Sequence, residues 1–100
     1  MDNRLVVVAP RAERDLRALP RHDANLVVED LELLRFPPWP PGKVKKLHGL
    51  DYWEIKTGDY RSLFRSEGKK VVILRVIHRK ELFRSIKHLD LIAVACWLLS

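Results

Sequence analysis

Residues 52–79, YWEIKTGDYRSLFRSEGKKVVILRVIHR, decide the fold. β-Branched and aromatic side chains fill the runs Tyr52 to Thr57, Tyr60 to Ser66 and Lys70 to His78. The separators, Gly58-Asp59 and Glu67-Gly68, have turn chemistry. Two successive hairpins follow, and with them a meander of three antiparallel strands. A side-chain period of two sets Trp53 and Ile55 opposite Glu54 and Lys56, and Val72, Leu74 and Val76 opposite Ile73 and Arg75. One face of this sheet is expected to pack on the rest of the chain and the other to carry charge.

Upstream, the valine-rich run Arg4 to Ala9 is bounded by Pro10 and predicts a further strand. Pro10 suits a first helical position, and Ala12, Leu16 and Leu19 repeat at i, i+4 and i+7 until Pro20 ends the pattern. A second helix is predicted with Asp23 as its cap, Val27, Leu31 and Leu34 inward, and Glu29, Asp30 and Glu32 in water. The tight break at Leu19-Pro20 makes the two a helical hairpin laid on one face of the sheet. Pro37-Pro38-Trp39-Pro40-Pro41-Gly42 cannot be helical and is expected to be a stiff connecting loop rather than a ligand for aromatic grooves. The expected architecture is α+β, in the order β-α-α-β-β-β with room for a closing helix: a small, mostly antiparallel sheet in one domain.

A chain of 100 residues supports one core. Its 47% hydrophobic and 32% charged residues exclude a disordered or membrane-spanning class. The single cysteine, Cys96, cannot close an internal disulfide. That lone thiol suits a reducing cytoplasm, and the four histidines, His22, His48, His78 and His88, lack metal-ligand spacing, so no metal and no cofactor are expected. The apolar run before Pro10 is too short for an export signal. Residues 1–88 read as the domain. Residues 89–100 read as an apolar tail, about half the roughly 20 residues that span a bilayer. The tail packs on the domain, forms a dimer contact or is non-native sequence, alternatives the residues leave open. The net charge of +6 is unevenly spread: residues 42–87 hold thirteen Lys and Arg against five Asp and Glu. Fixed cations on the exposed face of a sheet suit a polyphosphate, so nucleic acid is the expected partner. Trp53, Tyr60 and Phe64 alternate with polar residues, which favours core packing over an aromatic platform for RNA bases.

The element order, together with Lys46-Leu47-His48-Gly49, Trp53-Glu54-Ile55-Lys56, Gly58-Asp59-Tyr60-Arg61 and Val76-Ile77-His78-Arg79-Lys80-Glu81-Leu82-Phe83, resembles the RelE/ParE superfamily of toxins over residues 3–87. The resemblance implies a type II toxin held inactive by a cognate antitoxin, in a toxin–antitoxin hetero-oligomer. Members similar to RelE cut messenger RNA on the ribosome without a metal: the 2′-hydroxyl attacks the adjacent phosphate, leaving a cyclic phosphate and a free 5′-hydroxyl. Members similar to ParE share the fold and inhibit DNA gyrase, and a degenerate inactive member is a third possibility; fold alone does not choose among them.

Lys56, Arg61 and Arg79 match by position the cations of the RelE-like active site. By that resemblance Arg61 braces the phosphate with its fork, Arg79 lies near the leaving oxygen, and Lys56 stabilises charge or acts as base. Glu54 stands where a lysine is frequent in the family, and is either an alternative base or a salt-bridge partner of Lys56 or Arg61. His78 is either structural or a proton donor. Phe83 stands where a tyrosine stacks on a base, and its ring keeps that capacity. Lys43, Lys45, Lys46, Arg65 and Arg75 are expected to contact the nucleic-acid backbone.

Overall fold

The computed structural model describes residues 3–47 and 52–81. Strand β1 (Leu5–Val8) leads into α1 (Pro10–Ala18), α2 (Arg21–Glu32) and a 3-10 turn at Leu33–Arg35. Four strands follow: β2 (Val44–Lys46), β3 (Trp53–Thr57), β4 (Tyr60–Glu67) and β5 (Lys70–His78). Among the described residues these make one five-stranded sheet in the order β1-β5-β4-β3-β2, with β1 parallel to β5 and the remaining pairs antiparallel. Ala12, Val27, Leu31 and Leu34 from the helical side meet Val44, Ile55, Phe64, Val71, Ile73 and Val76 from the sheet. The α+β architecture is the expected one. The closing helix, the boundary at residue 88 and the tail lie largely or wholly outside the described residues.

Pro10 opens α1, and Leu19, extended before Pro20, closes it. Helix α2 starts at Arg21, so Asp23 lies in its first turn and is not the expected cap. The proline-rich loop is held by Trp39. Its Nε1 donates to the Leu34 carbonyl at 3.1 Å, and its ring meets Trp53 and Phe64 edge-on at 5.3 and 5.4 Å. Trp53 and Phe64 are therefore turned toward the helical side.

Three details of the sheet differ from expectation. Strand β2 was not foreseen: its Val44 pairs with Ile55 and is buried, while Lys45 and Lys46 stay exposed. The second turn is Gly68-Lys69 rather than Glu67-Gly68. Gly68 has φ +56° and heads the turn, as hairpin geometry of the primed type requires. Third, the ladder shifts where Phe64 pairs with Ile73 but Leu63 pairs with Arg75, leaving Leu74 as an extra residue. This bulge changes the parity of β5. Val71, Ile73 and Val76 share the core, where strict alternation would have separated Ile73 from Val76. Nor is the opposite face wholly polar, since Leu63 and Ile77 are buried there beside the charges.

Strand β1 stops opposite Ile73, which leaves the outer edge of β5 open beyond it. Asp15 of α1 fills that edge. Its Oδ2 accepts from the Val76 N–H at 3.0 Å and from Arg75 Nε at 2.8 Å, and Arg11 Nε lies 3.6 Å from Oδ1. Half-buried charge-assisted bonds of this kind fix α1 against the sheet. Asp15→Ala is expected to lower the unfolding free energy by about 2–3 kcal/mol through loss of these bonds and stranding of the Val76 N–H. Urea denaturation measures it; a loss below about 0.5 kcal/mol would mark Asp15 as an ordinary surface ion-pair member.

Candidate active site

A two-residue turn dictates which side chains face each other. With Gly58 and Asp59 at the tip, Thr57 and Tyr60 close the hairpin as its first hydrogen-bonded pair, and Lys56 and Arg61 form the next, non-hydrogen-bonded pair. The Lys56 N–H consequently points away from β4 and donates to the Lys43 carbonyl at 2.9 Å. Cα atoms of such a pair lie about 4.5 Å apart and their side chains leave on the same face. Lys56 and Arg61 thus stand together on the face turned away from the helices, in line with Ile77 of β5.

The turn itself restrains the cations. Arg61 Nη1 donates to the Gly58 carbonyl at 2.8 Å and to the Tyr60 carbonyl at 2.9 Å, committing one nitrogen of the fork. Arg79 is tied to the same tip. Its N–H donates to the Asp59 carbonyl at 2.7 Å, and its Nε lies 3.3 Å from Asp59 Oδ1. The side chains of Arg79 and Asp59 are 59% and 60% exposed, so an anionic ligand can reach this guanidinium. Lys56, Arg61 and Arg79, separated in sequence, are gathered at one corner of the sheet.

On the helical side, α2 holds the pair behind them. Thr57 Oγ1 donates to Asp30 Oδ2 at 2.7 Å, and Tyr60 Oη donates to Asp23 Oδ2 at 2.9 Å. Asp23 and Asp30 are seven residues apart, hence two turns apart on one face of α2. Sequence reading gave Asp23 to a cap and Asp30 to water, and missed both as braces of the hairpin. The i, i+7 spacing of the two acids was the available signal, but it does not name the hydroxyls they meet. Asp59 is legible in the sequence as a turn residue, not as a partner of Arg79.

The remaining predicted residues disperse. Glu54 is 1% exposed; its Oε1 lies 3.4 Å from Lys45 Nζ and its Oε2 has no hydrogen-bond partner. The salt-bridge partner is therefore Lys45 of β2, not Lys56 or Arg61, and the carboxylate is closed off from solvent. His78 pairs with Tyr60 across β4 and β5, its ring edge-on to the tyrosine at 5.7 Å, and its Nδ1 accepts from the Lys80 N–H at 3.2 Å. Its side chain leaves on the helical side, away from Lys56 and Arg61. Lys43 is spent on Asp30, with Nζ 3.0 Å from the oxygen that also holds Thr57. Arg75 is held by Asp15 at the sheet edge, and Arg65 lies 2.6 Å from Glu67 on the cationic face. Lys45 and Lys46 are exposed on edge strand β2. Phe83 lies outside the described residues. Among the described residues no group of three or more His, Cys, Asp or Glu is placed to hold a metal ion, and no helix is long and apolar enough to cross a membrane.

The sequence profile of the ParE toxin of the type II toxin–antitoxin system, parDE, matches residues 6–83. Among solved structures, the toxin–antitoxin complex RelBE2 from Mycobacterium tuberculosis contains a similar chain, 33% identical with a TM-score of 0.66, over 78% of this chain and 93% of that one. The RelE–RelB complex from Pyrococcus horikoshii OT3 matches at 28% identity and a TM-score of 0.64, over 79% and 97% of the two chains. The RelB–RelE complex from Methanococcus jannaschii, at 24% identity and a TM-score of 0.63 over 78% and 95%, is similar in fold. No curated protein matches the sequence.

The Tyr60–Asp23 contact has a signature in pH. The hydrogen bond to Asp23 raises the Tyr60 phenol above its ordinary value of 10.0; burial and the charges of Asp23 and Asp59 act in the same direction. The folded state thus favours the neutral phenol. Its stabilisation is complete below the unfolded tyrosine value and is lost as pH rises through the folded one. Tyr60→Phe is expected to flatten the decline of stability above pH 10, measured by denaturant unfolding at stepped alkaline pH; an unchanged slope would rule the contact out as its source.

Proposed function

The chain belongs to the ParE toxin family of type II toxin–antitoxin systems, and from that premise we propose that it is a ribosome-dependent mRNA endonuclease. The observation that supports this reading is the meeting of Lys56 and Arg61 across the β3–β4 hairpin, with Arg79 tied to the same turn. Cleavage within RNA needs a place for one phosphodiester, stabilisation of the charge that grows on it, and a proton acceptor and a proton donor at the attacking and leaving oxygens. The 2′-oxygen attacks phosphorus, its proton passes to a base, and the bond to the 5′-oxygen breaks as that oxygen gains a proton. A 2′,3′-cyclic phosphate and a 5′-hydroxyl remain. Arg61, with one nitrogen held by the turn, braces the non-bridging oxygens. Arg79, the most exposed of the three, meets the leaving oxygen, and Lys56 neutralises the extra charge between them.

Acid–base groups are scarce beside these cations. Glu54 is buried against Lys45, and His78 leaves on the opposite face. A site built in this way depends on the ribosome for orientation of the message, and little activity on free RNA is expected. Exposed Lys45, opposite Glu54 on the adjacent edge strand, extends the cationic face toward an RNA backbone. The inhibitory partner is a cognate antitoxin whose acidic side chains cover this face.

A second reading is inhibition of DNA gyrase by a protein–protein contact. It is favoured by the family profile itself, which is that of ParE. One induction experiment separates the two. Single Lys56→Ala, Arg61→Ala and Arg79→Ala variants that keep the wild-type circular dichroism spectrum are expected to lose about 10²–10³-fold in message cleavage. Mapping of RNA 5′ ends on ribosome-bound messages should show codon-phased cuts with the wild type alone. Gyrase-linked DNA breaks without such cuts would replace the nuclease reading with the second one.

A further inference from the structure

The Gly58-Asp59 turn does more than reverse the chain. Residue 59 makes two separate contacts with Arg79: its carbonyl accepts from the backbone N–H at 2.7 Å, and its carboxylate Oδ1 forms an ion pair with Nε at 3.3 Å. Residue 58 holds the other arginine through its carbonyl, 2.8 Å from Arg61 Nη1. We propose that Asp59 is a positioning residue for Arg79, and that the two-residue turn spaces the two guanidinium groups so that one phosphate meets both. The proposal rests on the nuclease reading above for its functional consequence.

A free arginine side chain samples many rotamers, and an exposed one loses that freedom only when something grips it. A carboxylate on Nε grips the side chain near its stem. The two terminal nitrogens remain as an open edge, able to take two phosphate oxygens in parallel. The backbone bond fixes where the stem starts. Arg61 is gripped through main-chain carbonyls alone, so the side chain at position 59 affects Arg79 and leaves Arg61 untouched. Gly58 has φ +56°, a value that favours glycine and keeps the turn, and thereby the Lys56–Arg61 register, in place.

The opposite role for Asp59 is competition: an exposed carboxylate on Arg79 can also mask it from phosphate. Asparagine separates the two. It keeps a carbonyl oxygen to accept from Nε and the same turn preference, but removes the charge. The tests use the purified full chain. Wild type and Asp59→Asn are expected to show a slowly exchanging Arg79 Nε–H signal by ¹⁵N NMR, assigned by its loss in Arg79→Lys, and Asp59→Ala to lose it. On ribosomes programmed with a defined message, the cleavage rate constant at saturation should fall about five-fold in Asp59→Ala, the worth of an exposed ion pair at the top of its usual range. KM should stay unchanged, and Asp59→Asn, which keeps the oxygen but not the charge, should recover part of the rate. Asp59→Ala cleaving as fast as or faster than wild type would overturn positioning, as would identical Arg79 exchange in Asp59→Ala and wild type. If the wild type leaves ribosome-bound message intact, the nuclease reading falls and the exchange measurement alone decides the role of Asp59.

Discussion

The register of the β3–β4 hairpin governs everything at the cationic corner. Because strand side chains alternate with a period of two, a slip of one residue would send Lys56 and Arg61 into the helical face and bring Thr57 and Tyr60 out. The turn fixes that register from the loop side, and α2 fixes it from behind. Asp30 and Asp23 accept from Thr57 and Tyr60, the pair that closes the hairpin. In a slipped register Asp23 would be left half-buried without its hydroxyl and Asp30 would keep only Lys43, a larger penalty than the bonds themselves contribute.

Such bracing is needed because the front of the hairpin is locally unfavourable. Two cations directly opposite on adjacent strands repel each other, and a third lies at the same tip. The chain offsets this locally, with carbonyls of the turn on Arg61 and the Asp59 carboxylate on Arg79. Glu54, buried two residues along the same face, adds negative charge that is drawn off mostly toward Lys45. An arrangement in which charge pattern and local stability conflict, yet are held by the surrounding structure, is what a binding site for a polyanion demands.

Much of the frame was legible in the residues. Pro10 and Pro20 bracket α1, the apolar positions of α2 are those that reach the core, and Gly58 marks the first hairpin. Short or irregular features were not. In β2 only three residues pair, two of them lysine, so no alternation could announce it. The bulge at Leu74 has no compositional mark in a run of four consecutive apolar residues, and it alone brings Ile73 and Val76 to the same side. Lys43 and Arg75 looked like phosphate contacts because charge in sequence says nothing of intramolecular partners; Asp30 and Asp15 occupy them instead.

By itself the sequence determined the α+β class, the meander, the excess of cations over residues 42–87 and the spacing that puts Lys56 and Arg61 one hairpin pair from the tip. All of these follow from short-range rules: turn chemistry, proline geometry and the periodicities of strand and helix. Only the tertiary structure decided which charges remain available. Whether a lysine faces solvent or an aspartate from α2, whether Glu54 is open or sealed, and on which face His78 emerges depend on contacts between residues far apart in the chain. Those contacts are set by packing of the helices on the sheet, and no local rule encodes them.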